Sequence, residues 1–287
     1  MTSATQSTQS AHPSRSGRPA HPGHPVRPAP AVPSLQRPVP AWGGFSARLF
    51  ALELRRLLRN RRTVSLMVVM PVALYFIAST SVGGDQDAGH GNVAAYILIS
   101  MGVYGAMLAT TSAGAMVAVE RSRGWTRQLR LTPLTPVAYI LLKACCAVVL
   151  GGLSVTAVYL AGAISGGPQM AGYLWPATAA IALAGSLVFA ALGLFLGYLL
   201  PSENVMQFLG LGVAAMAFLG GLFYPIPAGS TLDLVASFTP LYGLGHLVHA
   251  PLTGDPVQVT WVVSVLAWFA IFALGAVWRF RADTARG

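Results

Sequence analysis

Charge is what this chain has least of. Only 9% of its 287 residues are Asp, Glu, Lys or Arg, with one lysine, Lys143, and eight acids. A soluble domain carries about a quarter of its residues as charges, so this chain cannot cover a water-facing surface of its own size. The acids are Glu53, Asp85, Asp87, Glu120, Glu203, Asp233, Asp255 and Asp283, and each lies at or beyond the end of a long apolar run. No carboxylate or histidine occupies the middle of such a run, where a proton or sodium relay needs one, and a secondary transporter is disfavoured. The G-x-x-x-x-G-K-[ST] phosphate loop is missing as well. Lys143 sits in Leu141-Leu142-Lys143-Ala144, which excludes a self-contained ATPase. The two cysteines, Cys145 and Cys146, are adjacent inside one run and cannot frame a disulfide fold; they read as packing residues. No apolar signal core precedes residue 41, so the first true span is expected to direct insertion itself.

What is present is apolar length. Hydrophobic residues make up 54% of the chain, and six long runs cover 64–82, 93–119, 137–165, 174–200, 205–224 and 257–278. Each is long enough, at a rise of about 1.5 Å per residue, to cross roughly 30 Å of hydrocarbon. All 18 cations fall in 15–62, 121–143 and 279–286, and none lies in the alternate connections. Lys and Arg resist translocation, so this asymmetry predicts an all-α, six-span protein with both termini cytoplasmic. On the same ground, 83–92 and 225–256 are predicted to be external. The formal charge of +10 belongs to the mouths of spans, where it orients the protein and attracts anionic lipid. No folded basic domain is left for nucleic acid.

Three regions divide the chain. Residues 1–41, rich in Pro, Ser, His and Arg, have too few apolar side chains to offset ordering entropy and are expected to be a disordered cytoplasmic tail. Residues 42–282 form the membrane domain, and 283–287 a short tail. Within the second region Trp42 precedes a stripe of Phe45, Leu49 and Leu52, widened by Leu54, Leu57 and Leu58. Arg48, Arg55, Arg59 and Arg62 recur on another face. The pattern suits a helix lying in the membrane interface, and Asn60–Thr63 gives it a polar corner. A cytosolic extension of the first span reads almost the same way. Gly193 with Gly197, and Gly102 with Ala106, are spaced for close helix approach in lipid. Pro71 is expected to kink the first span and Pro201 to end the fourth. The apolar stretch 225–256 is expected to fold as short external helices that dip back into the membrane.

The segment 120–136 is the one substantial loop among the cationic connections. Trp125 and Leu129 share a helical face, and Arg121, Arg127 and Arg130 are available for ion pairs. An amphipathic element with a tryptophan anchor suits a docking contact. An interfacial loop with its tryptophan in the headgroups fits the same residues. The run Glu120…Gly124…Thr126…Leu129…Thr132-Pro133-Leu134, followed by Lys143, resembles the signature of type-2 ATP-binding-cassette exporter permeases. Gly220-Gly221-Leu222-Phe223-Tyr224-Pro225, with Pro240-Leu241-Tyr242 downstream, is similar to that family's end of the fifth span and external re-entrant helices. The resemblance spans about residues 42–280. Trp125, where many members carry a small polar residue, and the proline-rich tail depart from it.

The resemblance implies a multi-pass permease of the bacterial plasma (inner) membrane, pairing as a homodimer or heterodimer and moving a hydrophobic or amphipathic substrate outward. It implies no cofactor on this chain; ATP and Mg would sit on separate cytoplasmic ATPase subunits. By position, the helix around Trp42, Arg48, Arg55 and Arg59 would touch the ATPase. So would the loop residues Glu120, Arg121, Gly124, Trp125, Arg127, Leu129, Arg130 and Pro133. The second and fifth spans would line the path, with Tyr104, Met107, Met206, Phe208, Met216 and Phe218 as candidates. Two other classes compete. His246 and His249, with Asp233 or Asp255, suggest a metal-dependent membrane enzyme, although no glutamate base shares the motif. A non-catalytic assembly or signalling anchor also fits.

Overall fold

The computed structural model describes residues 41–124, 134–227 and 229–285; of the tail expected over 1–41, all but Ala41, which starts a 3-10 turn, lies outside them. The described residues are helical apart from turns and two isolated β-bridges. A short 3-10 turn, Ala41–Gly44, leads into α1 (Ala47–Arg59), α2 (Arg61–Ser81) and α3 (Val93–Ser122). Then come α4 (Pro136–Ser165), α5 (Leu174–Leu199) and α6 (Ser202–Leu219). Two short helices, α7 (Thr231–Ser237) and α8 (Pro240–Thr253), precede α9 (Val259–Ala285). Five of these, α2, α3, α4, α5 and α9, are long and apolar enough to cross a membrane. The molecule is a multi-pass, all-helical membrane protein.

The run expected as the fifth span forms a single helix. Its helix, α6, has 18 residues, and Leu209–Leu219 is its apolar stretch among the residues whose side chains are described. Glu203, Asn204 and Gln207 make its first turns polar. At about 1.5 Å per residue, the whole of α6 measures about 27 Å, close to the hydrocarbon thickness.

Local chemistry sets the boundaries. Ser46 caps α1 through its hydroxyl, which accepts from the Leu49 N–H at 3.2 Å. Asn60 ends α1 and caps α2, its Oδ1 accepting from the Thr63 N–H at 3.4 Å. The polar corner expected there is a true break between two helices. Pro71 lies inside α2, and Pro201 stands between α5 and α6. Asn92 caps α3, accepting from the Ala95 and Gln169 N–H groups at 3.0 and 2.8 Å and donating to the Gly167 carbonyl at 2.8 Å. One buried amide thereby joins two loops to one helix.

α3 is the axis of the bundle. It is buried along most of its length, and packs chiefly on α5 and α4, then on α2 and α6. The α3–α5 contact runs backbone to backbone. A Cβ on Gly114 would come within 2.7 Å of the Ala190 carbonyl, one on Gly197 within 3.2 Å of Gly114 O, and one on Gly193 would collide with Thr111 O. Small residues replace the hydrophobic effect as the source of close packing in lipid. At Gly102 the space a Cβ would need is filled instead by the Tyr159 ring of α4. α7 and α8 fold within the expected external stretch, and α8 buries Leu241, Leu244, Val248 and Leu252 mainly against α9 and α5.

Gly193→Ala is expected to push α3 off α5 and lower stability by about 1–3 kcal/mol, the range for overpacking. Gly210→Ala on α6, where a Cβ meets nothing within 4 Å, should be neutral or stabilising by up to about 1 kcal/mol. Thermal unfolding of the two purified variants measures the contrast.

Candidate functional site

At the end of the bundle where α3 stops and α4 starts, α1 lies across both and four charged side chains meet. Leu49, Glu53 and Leu57 are four residues apart, which puts the one acid of α1 on the helix face that carries its half-buried leucines. Glu53 and Arg56 of α1 meet Glu120, two residues before the end of α3, and Lys143 in the third turn of α4. Lys143 Nζ donates to Glu120 Oε1 at 2.5 Å and also to Glu53 Oε1. Arg56 Nη1 donates to the same Glu120 oxygen at 3.0 Å and lies 3.6 Å from Glu53 Oε2. The other Glu120 oxygen accepts from the Tyr139 hydroxyl at 2.5 Å. Glu120 and Lys143 are each only 2% exposed, whereas Arg56 is 41% exposed.

Two acids and two bases make the set electrically neutral. Burial of an isolated charge is costly, and here each has at least one opposite partner within bonding distance. The directions of these bonds also matter: they fix α1 against α3 and α4, although α1 buries no residue fully. The next residue, Arg121, turns the other way. Its Nη1 donates to the Gly197 and Tyr198 carbonyls at 3.1 and 2.9 Å, capping the C-terminus of α5 with a cation. Adjacent residues at one helix end thus connect α3 to α1, α4 and α5.

Gly124 follows with φ +73°, and a Cβ there would meet no atom within 4 Å. Its role is conformational: a left-handed residue turns the chain out of α3. The chain returns at Thr135, whose N–H donates to Gly43 O at 2.8 Å and whose hydroxyl caps α4. Both stems of the loop are therefore built into the cluster and the 3-10 turn. Trp125, Arg127, Leu129, Arg130 and Pro133 lie outside the described residues, as do the side chains of Trp42 and Arg62. Arg48, Arg55 and Arg59 are exposed along α1. The residues that sequence reasoning missed are Glu53, Arg56 and Tyr139. Only Glu53 had a legible signal, as an acid in register with apolar positions.

The candidate path residues separate. Tyr104 and Met107 are 3% and 0% exposed, inside the core around α3. Tyr104 packs edge-on against Phe223, centroids 5.3 Å apart, and Phe223 packs on Phe218 at 4.8 Å. Phe218 is 55% exposed and Met216 half-buried. The side chains of Met206 and Phe208 lie outside the described residues. In this conformation Tyr104 and Met107 line the chain's own core and no open cleft.

The two histidines proposed as metal ligands serve different contacts. His249 Nδ1 bonds to Gly245 O at 2.7 Å and its Nε2 to Ser100 Oγ at 3.0 Å, so both ring nitrogens are used. His246 stacks on Trp261 with centroids 4.8 Å apart. Asp233 accepts from the Gly229 N–H and the Tyr242 hydroxyl, which hold its carboxyl below the usual carboxylate range. Among the described residues no group of three His, Cys, Asp or Glu is placed to hold a metal.

The family model described as ABC-2 type transporter matches residues 47–250. A putative transport permease of Bacillus subtilis, YvfS, is 28% identical over 230 residues, spanning 77% of this chain and 91% of its own length. The region matched by the family model takes in α1, the ion cluster and most of α8.

Lys143→Met leaves the buried Glu120 and the half-buried Glu53 sharing Arg56 as their cation, and is expected to cost about 3–5 kcal/mol. Adding Glu120→Gln removes the orphaned charge and should restore part of that loss. A double-mutant cycle on thermal unfolding reads the coupling, and strictly additive losses would refute a shared site.

Proposed function

The chain belongs to the ABC-2 type transporter family, and from that premise we propose that it is the membrane subunit of an ATP-driven exporter. Its own sequence has no phosphate loop, so the energy comes from separate ATPase subunits on the cytoplasmic side. The observation that carries this reading is the clamp on the 125–133 loop. Both of its stems and the helix α1 are fixed to each other by one buried, directional ion cluster. A push on the loop is transmitted to α1, α3 and α4 together, because none can shift without unpairing a buried charge. Trp125, Arg127, Leu129 and Arg130 supply the docking contact, with Arg48, Arg55 and Arg59 of α1 beside it.

In this reading α6 crosses the membrane as the fifth of six spans, and both termini are cytoplasmic. The complete cationic asymmetry supports that orientation. Two such subunits, alike or different, form the transport unit. Cargo is hydrophobic or amphipathic, since no unpaired charge is buried among the residues assigned to the path. It passes along α6, where Phe218 is exposed and Tyr104 lies one ring behind Phe223. Tyr104 and Met107 join the path only when α6 draws away from α3.

Trp125→Ala and Arg127→Glu are expected to lower ATPase co-purification and transport at least tenfold while membrane levels hold, as loss of an interface anchor costs about 2 kcal/mol or more. Unchanged association in both variants would refute the docking assignment. For topology, single cysteines in a background without Cys145 and Cys146 should label from outside the cell at positions 88 and 254 and not at 123. Labelling at 123 from outside would invert the orientation.

A further inference from the structure

Beside the ion cluster, the corner between α1 and α2 leaves a cleft of about 210 Å³ against α3. Its lining reaches from Arg123, just past the end of α3, to Ser112 inside it. Those 11 residues correspond to about 16 Å of helix axis. At the end toward the helix termini stand Arg56 and Arg123. Farther along, the walls are Val64 and Met67 of α2 and Met116 of α3. The cleft is thus cationic at one end and apolar at the other, with its long direction along the helices.

The charge at the cationic end is not cancelled by the carboxylate it contains. Glu120 also lines this cleft, but it already accepts from Lys143, Arg56 and Tyr139. Arg123, exposed, adds a positive charge to an otherwise neutral set. Arg56 reaches the same cleft while 41% exposed and bonded to Glu120. A guanidinium fork matches phosphate oxygens. A free anion would use only this end. The apolar stretch between Val64, Met67 and Met116 has no use for one, whereas it suits methylene groups.

We propose that this cleft binds an anionic glycerophospholipid. Its phosphodiester lies beside Arg123 and Arg56, and the upper part of one acyl chain runs between Val64, Met67 and Met116. The lipid wedges the α1–α2 corner against α3 next to the ion cluster, so its presence stiffens the link between α1 and the bundle. This goes beyond the export reading and does not rest on it, because lipid retention is measured on the chain alone.

The test is native mass spectrometry of the full chain, purified in a neutral detergent, with dioleoylphosphatidylglycerol and dioleoylphosphatidylcholine added in equal amounts. Phosphatidylglycerol should be retained selectively. Arg123→Gln should weaken that retention roughly fivefold, the contribution expected of one cation near a lipid surface. Arg281→Gln, a change at the far end of α9, should leave it unaltered. Thr63→Phe, which fills the cleft without altering charge, should abolish it. Circular dichroism and monodispersity establish that each variant folds. Equal retention of the two lipids, or equal loss in the Arg123 and Arg281 variants, overturns the proposal. Displacement of phosphatidylglycerol by millimolar inorganic phosphate alone also overturns it, because the site would then be for a free anion.

Discussion

Glu120 cannot lose its partners without leaving a charge in a place that water does not reach. That constraint organises one whole end of the molecule. Its carboxylate holds Arg56 of α1, Lys143 of α4 and the Tyr139 hydroxyl, while Glu53 meets the same lysine from the other side. α1 buries no residue fully and makes few contacts with the bundle. Apolar area therefore does little to fix it there, and directional bonds to buried charges do the work instead. Such bonds are strong when complete and costly when half made. A helix held this way keeps one geometry relative to α3 and α4, and any displacement moves it together with them.

The opposite end is held differently. Asn92, with three hydrogen bonds, ties the start of α3 to the loop before α5. His249 on α8 bonds to Ser100 on α3 and stacks on Tyr96 at 3.9 Å. Burial pushes the His249 imidazole down to about 4, so it is neutral at physiological pH. No charge takes part in these ties, and backbone carbonyls and N–H groups satisfy most of them. One end is a neutral network, the other a charged one. The charged end is the one from which the 125–133 segment leaves α3.

Much of this was legible in sequence because a membrane makes simple demands. Length and cation placement gave the long helices, since lipid leaves no other way to satisfy a spanning backbone. Asn60, Pro201 and the small helices of 225–256 were readable from capping and breaking residues. Gly193 and Gly197 were readable as close-packing positions. The ion cluster was not. Glu53, Arg56, Tyr139 and Lys143 are spread over 90 residues, and periodicity within one element says nothing about which charges meet across elements. The surroundings of the path candidates were not legible for a related reason. An aromatic or methionine on a span looks the same whether it faces lipid, a cleft or the core, and only packing put Tyr104 and Met107 in the core.

The two helix contacts of α3 with α5 and α6 differ in a way that bears on movement. Helices in lipid gain little from burying apolar side chains against each other, because the tails they leave are equally apolar. Close backbone approach is what holds them, and α3 has it with α5 through Gly114, Gly193 and Gly197. Among the described residues of α6, Gly210 makes no such approach. The helix rests on α3 through one ridge, Val205, Leu209, Val213 and Ala217, spaced four apart, while Gly210 faces open space. Leu211 and Phe218 on its other side are exposed. A ridge of side chains can slide or lift without breaking backbone contacts or unpairing a charge, whereas α3 cannot leave α5 without opening a tight seam. The ring contacts from Tyr104 through Phe223 to Phe218 are what a displacement of α6 from α3 must break.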